Sequence, residues 1–434
     1  MKNQDKYLTG IEKFIFFQYF KIYIFFVYFT QMVRGKITFR QFIIFVQRML
    51  LLYDRIKVNK VVKTRGVYKT HIYLPAFPTQ AFFISLDKFL LQTKNPAEIY
   101  PTSMLLSMGR ACNYKCPHCY QRLDSVELMP IDVMRQIARQ LQELNIGFIN
   151  IEGGEPLLEL DRLILLLKAL NPKRSEIWIN TNGSIMTRNR ALKMNDLGVF
   201  GVMVSLHHWD KEVYDKFTGI KGSYDNAILA LEIARKAGLS TAINCTGTQD
   251  LIFSGGFEKI MQIAKDIGCA YVQLIHEKPA GAWLERKGVT EWHYVKKLCD
   301  YHLAYSRAGK FAKYPAISSQ AFESRPENFG CTAGGIERFY INAGGEVQPC
   351  EFTNVSFGNV CNEPFLDIYR RMRQTFDIPR TNWLCCTERD KIVQKIHDNK
   401  IKKTPLPKNV SENVISNFNR GEKTVLYRKM KLYE

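Results

Sequence analysis

The run Cys-Asn-Tyr-Lys-Cys-Pro-His-Cys-Tyr at residues 112–120 constrains this chain more than any other part of it. Cys112, Cys116 and Cys119 stand at C-x3-C-x2-C spacing, with the aromatic Tyr120 directly behind them. Three thiolates are one too few to close a tetrahedral zinc site and one too few for a four-cysteine iron–sulfur cluster. A cube of four irons on three thiolates leaves one iron with open coordination, able to bind and activate a ligand. The competing reading is half of a zinc ribbon, or the chance clustering that short motifs invite.

Around this run, strand and helix patterns alternate. Strands are expected at 104–108, 148–152, 176–180, 201–206, 241–246 and 271–275, and helices at 130–145, 161–170, 188–197, 223–237 and 257–267. Pro130 suits a first helical turn and Gly238 a stop behind Lys236. Six β/α repeats imply an α/β fold with a parallel sheet, a partial (β/α)6 TIM-like barrel. The loops at the carboxyl ends of such strands carry the chemistry. The three-cysteine loop follows the first strand, where that architecture puts an active site.

In this setting the cysteine run resembles the signature of the radical S-adenosylmethionine (SAM) enzymes. The resemblance implies that Cys112, Cys116 and Cys119 ligate a 4Fe-4S cluster whose fourth iron is chelated by the amino and carboxylate groups of SAM. It implies reductive cleavage of SAM to methionine and a 5′-deoxyadenosyl radical that abstracts hydrogen from a substrate. A one-electron reductant of flavodoxin or ferredoxin type is the implied partner. Tyr120 would lie on the adenine side of SAM. Gly153-Gly154-Glu155-Pro156, which begins 34 residues after Cys119, resembles the family loop that hydrogen-bonds the methionyl amino group. Asn180-Thr181-Asn182-Gly183 resembles its "TNG" segment, and Ser205 and Asn244 occupy places where relatives put polar cofactor contacts. His207 is a departure, since many relatives carry an acidic residue there; a loop hydrogen bond and a proton shuttle are equally open.

A second cysteine group follows. Cys331 and Cys350 flank Gly345 and a hairpin pattern, and hairpins of this kind bring distant cysteines side by side. The spacing resembles the start of the SPASM and shorter "twitch" extensions, which carry auxiliary clusters. Only Cys361 and the pair Cys385-Cys386 come after it, too few for a full SPASM set. The expectation is one auxiliary 4Fe-4S cluster on Cys331, Cys350 and one or both of Cys385 and Cys386, with Cys361 in reserve. Reduced core cysteines plus an inert pair is the other reading. Cys245, Cys269 and Cys299 sit in apolar contexts and read as buried small hydrophobes.

Charge is unevenly placed along the 434 residues: of a net +20, residues 1–70 carry +11 and residues 387–434 carry +6. Basic ends suit anionic partners. Residues 14–33 hold ten aromatics and are long enough to span a bilayer, but Lys21 near their middle argues against spanning. Phe39, Phe42, Ile43, Val46, Met49, Leu50, Tyr53 and Ile56 recur as one face of a basic amphipathic helix. Contact with a membrane surface, packing on the barrel or a second subunit, and a true span all remain open for this N-terminal part. Residues 61–100 read as short extended pieces.

The expected division is an N-terminal basic, aromatic segment (1–100), the barrel (101–285), a helical linker (286–330), a small α+β cluster-binding extension (331–390) and a basic C-terminal tail (391–434). The eleven cysteines make no disulfide framework and no cleavable signal is evident, which points to a cytoplasmic enzyme, with peripheral membrane contact open. Its substrate is expected to be hydrophobic or membrane-associated, such as a lipid, or else a peptide. A metal-dependent nucleic-acid-binding or scaffold protein is the non-enzymatic alternative, with nucleic acid the less favoured partner.

Overall fold

Runs of Val, Ile, Leu and Met between residues 103 and 276 have no polar face to offer water, so they pair into a sheet covered on both sides. The computed structural model describes residues 5–433 apart from 92–94, 96–97 and 125–126. A small antiparallel sheet joins β1 (Lys6–Leu8), β2 (Val61–Thr64) and β3 (Val67–Lys69). The large sheet contains β4 (Ser103–Ser107), β5 (Phe148–Glu152), β6 (Glu176–Thr181), β7 (Val199–Ser205), β8 (Ser240–Gly247), β9 (Tyr271–His276), β10 (Ala316–Ser319), β11 (Tyr340–Ile341) and β12 (Val347–Gln348). Their spatial order is β10-β9-β8-β7-β6-β5-β4-β11-β12, so β10 and β12 form the two edges, as in a partial barrel. Strands β4 to β10 all run parallel.

The stretch 286–330, expected to be a helical linker, supplies the seventh parallel strand as well as the helix Trp292–Ser306. The hairpin expected between Cys331 and Cys350 is present as β11 and β12, and β11 pairs in parallel with β4. The cluster-binding extension therefore continues the barrel sheet.

The N-terminal part packs across the amino ends of the barrel strands. Lys69 is fully buried and pairs at 2.5 Å with Glu176 at the start of β6. Arg65 donates to the carbonyls of Val199 and Phe200, at 2.7 and 2.8 Å. Val62 and Ile72 close the floor against Phe148, Trp178, Met203 and Tyr271, and Tyr73 reaches in to bond Gln273 on β9. Above this floor lie α1 (Gly10–Val33) and α2 (Phe39–Ile56), the second opened by a capping box between Thr38 and Gln41. The piece expected to be extended at 61–100 also contains α3 (Gln80–Asp87).

The C-terminal residues are no loose tail. Leu426, Tyr427, Met430, Leu432 and Tyr433 are buried in the same apolar cluster as Phe16, Phe17, Phe20, Phe45 and Leu52 of α1 and α2. The two basic ends of the chain thus share one core.

Candidate active site

Cys112, Cys116 and Cys119 lie on the loop that leaves β4 and line one cavity with Gly153, Gly154, Asn180, Ser205 and Asn244. They come from the loops behind β4 and β5, the carboxyl ends of β6 and β7, and the middle of β8. The parallel sheet therefore converges them although they span 133 residues of sequence, from 112 to 244.

Close backbone packing sets the cysteine loop. The amide of Gly154 donates to the Gly109 carbonyl at 3.0 Å and that of Glu155 to Ala111 at 2.7 Å. A Cβ on Gly154 would stand 2.3 Å from the Ala111 carbonyl oxygen, so only glycine permits this approach. On the other side, Lys115 donates to Thr218 O and Asn182 Nδ2 lies 3.9 Å from Cys112 Sγ. Burial raises the thiols: Cys116 is pushed up to about 12, helped by its two neighbouring cysteines, and Cys112 and Cys119 are raised as well. A cationic cluster would overcome that cost and hold them as thiolates.

Glu155 differs from expectation. Its carboxylate is buried and accepts from the Thr181 hydroxyl (2.7 Å) and from the amides of Asn182 (2.6 Å) and Leu157 (3.1 Å). It ties the Gly-Gly loop to the β6 loop and has no face toward the cavity. Tyr120 donates its hydroxyl to Glu152, and its ring lies 5.6 Å from Phe352 in edge-on contact. Burial raises Glu152 to about 8, while the Tyr120 and Asn180 hydrogen bonds pull the other way. His207 accepts from the Thr246 amide at 3.0 Å and packs 4.4 Å from the His118 ring. Burial lowers both imidazoles, so His207 is a neutral, loop-fixing group.

Several wall residues were not foreseen: Glu152, Gln273, His276, Lys278, Glu351 and Phe352. Glu152 and His276 are polar residues that close apolar strands, Gln273 interrupts one, Lys278 follows β9, and Glu351 and Phe352 follow Cys350. Asn180 Oδ1, Asn244 Oδ1, Gln273 Oε1 and both ring nitrogens of His276 are buried without a partner among the described residues. Such orphaned groups fit a polar cofactor such as SAM, which would supply the missing hydrogen bonds.

The second cysteine group also converges. Leu384 N lies 3.5 Å from Cys331 Sγ, and Cys385 Sγ lies 3.8 Å from Cys386 Sγ. Burial would lower the guanidinium of Arg338, but Cys350, Glu351 and Cys331 beside it raise it, and Cys385 adds to the burial that raises the Cys350 thiol. Cys361 stands apart, exposed, with its sulfur beside the Gly344 carbonyl at the hairpin turn. Cys245 and Cys269 are buried among apolar side chains, as is most of Cys299. Among the described residues no three His, Cys, Asp or Glu side chains converge tightly enough for a single ion. A cluster of several irons asks its thiolates to surround a cube instead of a point.

Comparison with known proteins fixes the class. Residues 106–256 match the radical SAM superfamily domain and residues 331–387 the SPASM iron–sulfur cluster-binding domain. The chain thus carries a radical SAM domain and a SPASM-type iron–sulfur domain, and these imply a 4Fe-4S cluster, SAM and auxiliary iron–sulfur binding. It is 27% identical over 287 residues to the AdoMet-dependent heme synthase of Oleidesulfovibrio alaskensis, covering 60% of this chain and 72% of that one. It is 28% identical over 298 residues to the AdoMet-dependent heme synthase of Nitratidesulfovibrio vulgaris, covering 62% and 80%. In fold it is similar to Streptococcus suis SuiB bound to precursor peptide SuiA, with a TM-score of 0.52, 16% identity, and coverage of 67% and 69%.

Proposed function

We propose that this enzyme abstracts hydrogen from an apolar, membrane-associated substrate brought to the cavity at the carboxyl ends of β4 to β9. The observation that carries the reaction is one cavity in which three loop cysteines face the Gly153–Gly154 backbone and a ring of unpartnered strand-end polar groups. Cys112, Cys116 and Cys119 would hold the catalytic 4Fe-4S cluster. A cluster held there with SAM bound would supply the one electron that breaks the sulfonium C–S bond, giving methionine and a 5′-deoxyadenosyl radical. Asn180, Ser205, Asn244 and the Gly153–Gly154 backbone bind and orient the cosubstrate, Tyr120 holds the Glu152 carboxyl in place, and the Tyr73 floor keeps water out from below.

Cys331, Cys350, Cys385 and Cys386 would carry one auxiliary cluster. The segment Cys350-Glu351-Phe352 connects it to the cavity wall, close enough to anchor a substrate or exchange an electron with it. The aromatic, apolar surface of the N-terminal helices supports an apolar substrate, and the relatives' name, heme synthase, adds a tetrapyrrole to the candidates. A peptide is the second reading, suggested by the precursor peptide bound to the fold neighbour SuiB. A flavodoxin- or ferredoxin-type protein would supply the electron, in the cytoplasm.

Anaerobic reconstitution tests the reaction. About eight irons per chain are expected, four for each cluster, with 5′-deoxyadenosine released under dithionite. Cys116→Ala should abolish that release. Cys331→Ser or Cys350→Ser should remove about four irons, while Cys361→Ser removes none. A reconstituted protein that never cleaves SAM would end this reading. Mass spectrometry of extracts from cells with and without the enzyme decides between an apolar and a peptide product.

A further inference from the structure

We infer that the outer face of α1, with the turn into α2, is a docking surface for an anionic lipid bilayer. α1 is about 36 Å long, and only one side of it is used by the protein. Phe16, Phe17, Phe20, Ile24 and Tyr28 are buried, whereas Ile11, Ile15, Ile22, Phe26, Phe29 and Val33 form a stripe on the opposite side. Ile11, Ile15, Ile22, Phe26 and Val33 each keep more than half of their surface in water, from 57% to 77%. Phe39 extends the stripe past the turn at 68% exposure. An apolar strip of this length on a free surface is the mark of an interaction site. Between the helices, Phe20, Ile24, Phe25, Phe45 and Met49 line an apolar groove with Lys21 at its rim, and Lys21 Nζ sits 4.8 Å from the centre of the Tyr53 ring.

Charge identifies the occupant. From residue 13 to residue 53 the chain has no Asp or Glu, but it has Lys13, Lys21, Arg34, Lys36, Arg40 and Arg48. Arg48 is buried on backbone carbonyls and Lys13 caps those of Val58 and Asn59. Arg34, Lys36 and Arg40 are exposed at the turn, next to Val33 and Phe39. Glu12, beside Ile11, is the one carboxylate on α1 and pairs with Lys6 at 2.6 Å. Apolar side chains flanked at the turn by cations with no ion-pair partner among the described residues match acyl chains beneath anionic headgroups. A second copy of the chain would bring the same cations against them, which disfavours self-pairing. A span across the bilayer is disfavoured by the buried face: Tyr28 donates to Asp87 at 2.7 Å, and Phe16 and Phe20 pack edge-on against Phe77. The helix cannot leave that packing and still cover the barrel floor.

This surface deepens the proposal of an apolar, membrane-associated substrate and rests on it for its purpose, while its test is independent. The full-length reconstituted enzyme is sedimented with vesicles of phosphatidylcholine alone or mixed with phosphatidylserine. The mixed vesicles should capture it at least about tenfold better, with capture falling at high salt. Ile15→Glu/Ile22→Glu should reduce capture by roughly tenfold or more, and Arg34→Glu/Lys36→Glu should do the same, both with SAM cleavage unchanged. No capture by mixed vesicles overturns the inference, as does capture that both double variants retain. Resistance to alkaline carbonate overturns it in favour of a span, and a wild-type dimer that the isoleucine variant makes monomeric overturns it in favour of a subunit interface. Capture by an enzyme that fails to cleave SAM supports docking and defeats the proposed reaction instead.

Discussion

The imidazole of His276, at the carboxyl end of β9, lies 4.2 Å centre to centre from the indole of Trp383, two residues ahead of the Cys385-Cys386 pair. One ring belongs to the barrel and the other to the cluster-binding extension, so their contact joins the two proposed redox sites through one cavity wall. Burial, reinforced by Lys278 and Arg338, keeps the imidazole neutral, and neither of its nitrogens has a partner among the described residues. His276→Phe would keep the stack and remove both nitrogens. Iron content and SAM cleavage should stay at wild-type levels while substrate conversion falls by roughly 100-fold. A parallel loss of iron would show that the residue only packs.

Lys69 and Glu176 test the floor of the barrel. Besides Lys69, Glu176 accepts from the amide of Ala76 and the indole of Trp178, both at 2.7 Å. Lys69→Met would strand a buried carboxylate, and such a loss costs about 3–5 kcal/mol. Lys69→Met/Glu176→Gln should recover a good part of that. Urea denaturation of the three proteins measures the difference. It also explains why point substitutions, and no deletion of the first 70 residues, suit the study of α1: deletion would uncover Phe148, Trp178 and Met203.

Glu152 gives a pH signature. Burial lifts its carboxyl from an ordinary 4.5 to about 8 in the folded chain. Between those values the unfolded chain has released the proton that the folded chain retains, so stability contributed by this site declines as pH rises from 4.5 to about 8. Above that the folded state carries a buried negative charge. The cluster-free Glu152→Gln variant should therefore show a flatter dependence of its unfolding midpoint over this window than the cluster-free parent. Equal slopes would mean that the carboxylate is already ionised inside the fold.

What could be read from the residues divides along physical lines. β4 to β9 were legible within one or two residues because each is a dense apolar run bounded by turn residues, as in Phe148-Ile-Asn-Ile-Glu152. β10 escaped because Ala-Ile-Ser-Ser is four residues long with a single large apolar side chain. The C-terminal helix Val425–Met430 was hidden by its own charge: Arg428 and Lys429 set the composition while Leu426, Tyr427 and Met430 do the packing. The three-cysteine loop and the Gly-Gly pair could be placed by spacing alone. Glu155, Tyr73 and His276 could not, since which way each side chain turns depends on contacts far off in sequence: Thr181 for Glu155, Gln273 for Tyr73 and Trp383 for His276.

Gly154 is where the two halves of the cofactor site touch most closely. A methyl group there would stand 2.3 Å from the Ala111 carbonyl oxygen and 2.4 Å from that of Arg110, both backbone atoms with no rotamer to escape into. Gly154→Ala must therefore push the cysteine loop away from the β5 loop, breaking the hydrogen bond from the Glu155 amide to the Ala111 carbonyl. Overpacking of this kind costs about 1–3 kcal/mol, which a barrel with this core can absorb. The cluster site has less latitude, because Cys112 lies directly behind Ala111 on the displaced segment. Gly154→Ala should fold with a near-wild-type circular dichroism spectrum, keep the iron of the auxiliary site, and lose most of the iron at Cys112, Cys116 and Cys119 together with SAM cleavage. Full retention of both clusters by this variant would show that the loop has slack that the packing does not reveal, and that the glycine is there for the turn alone.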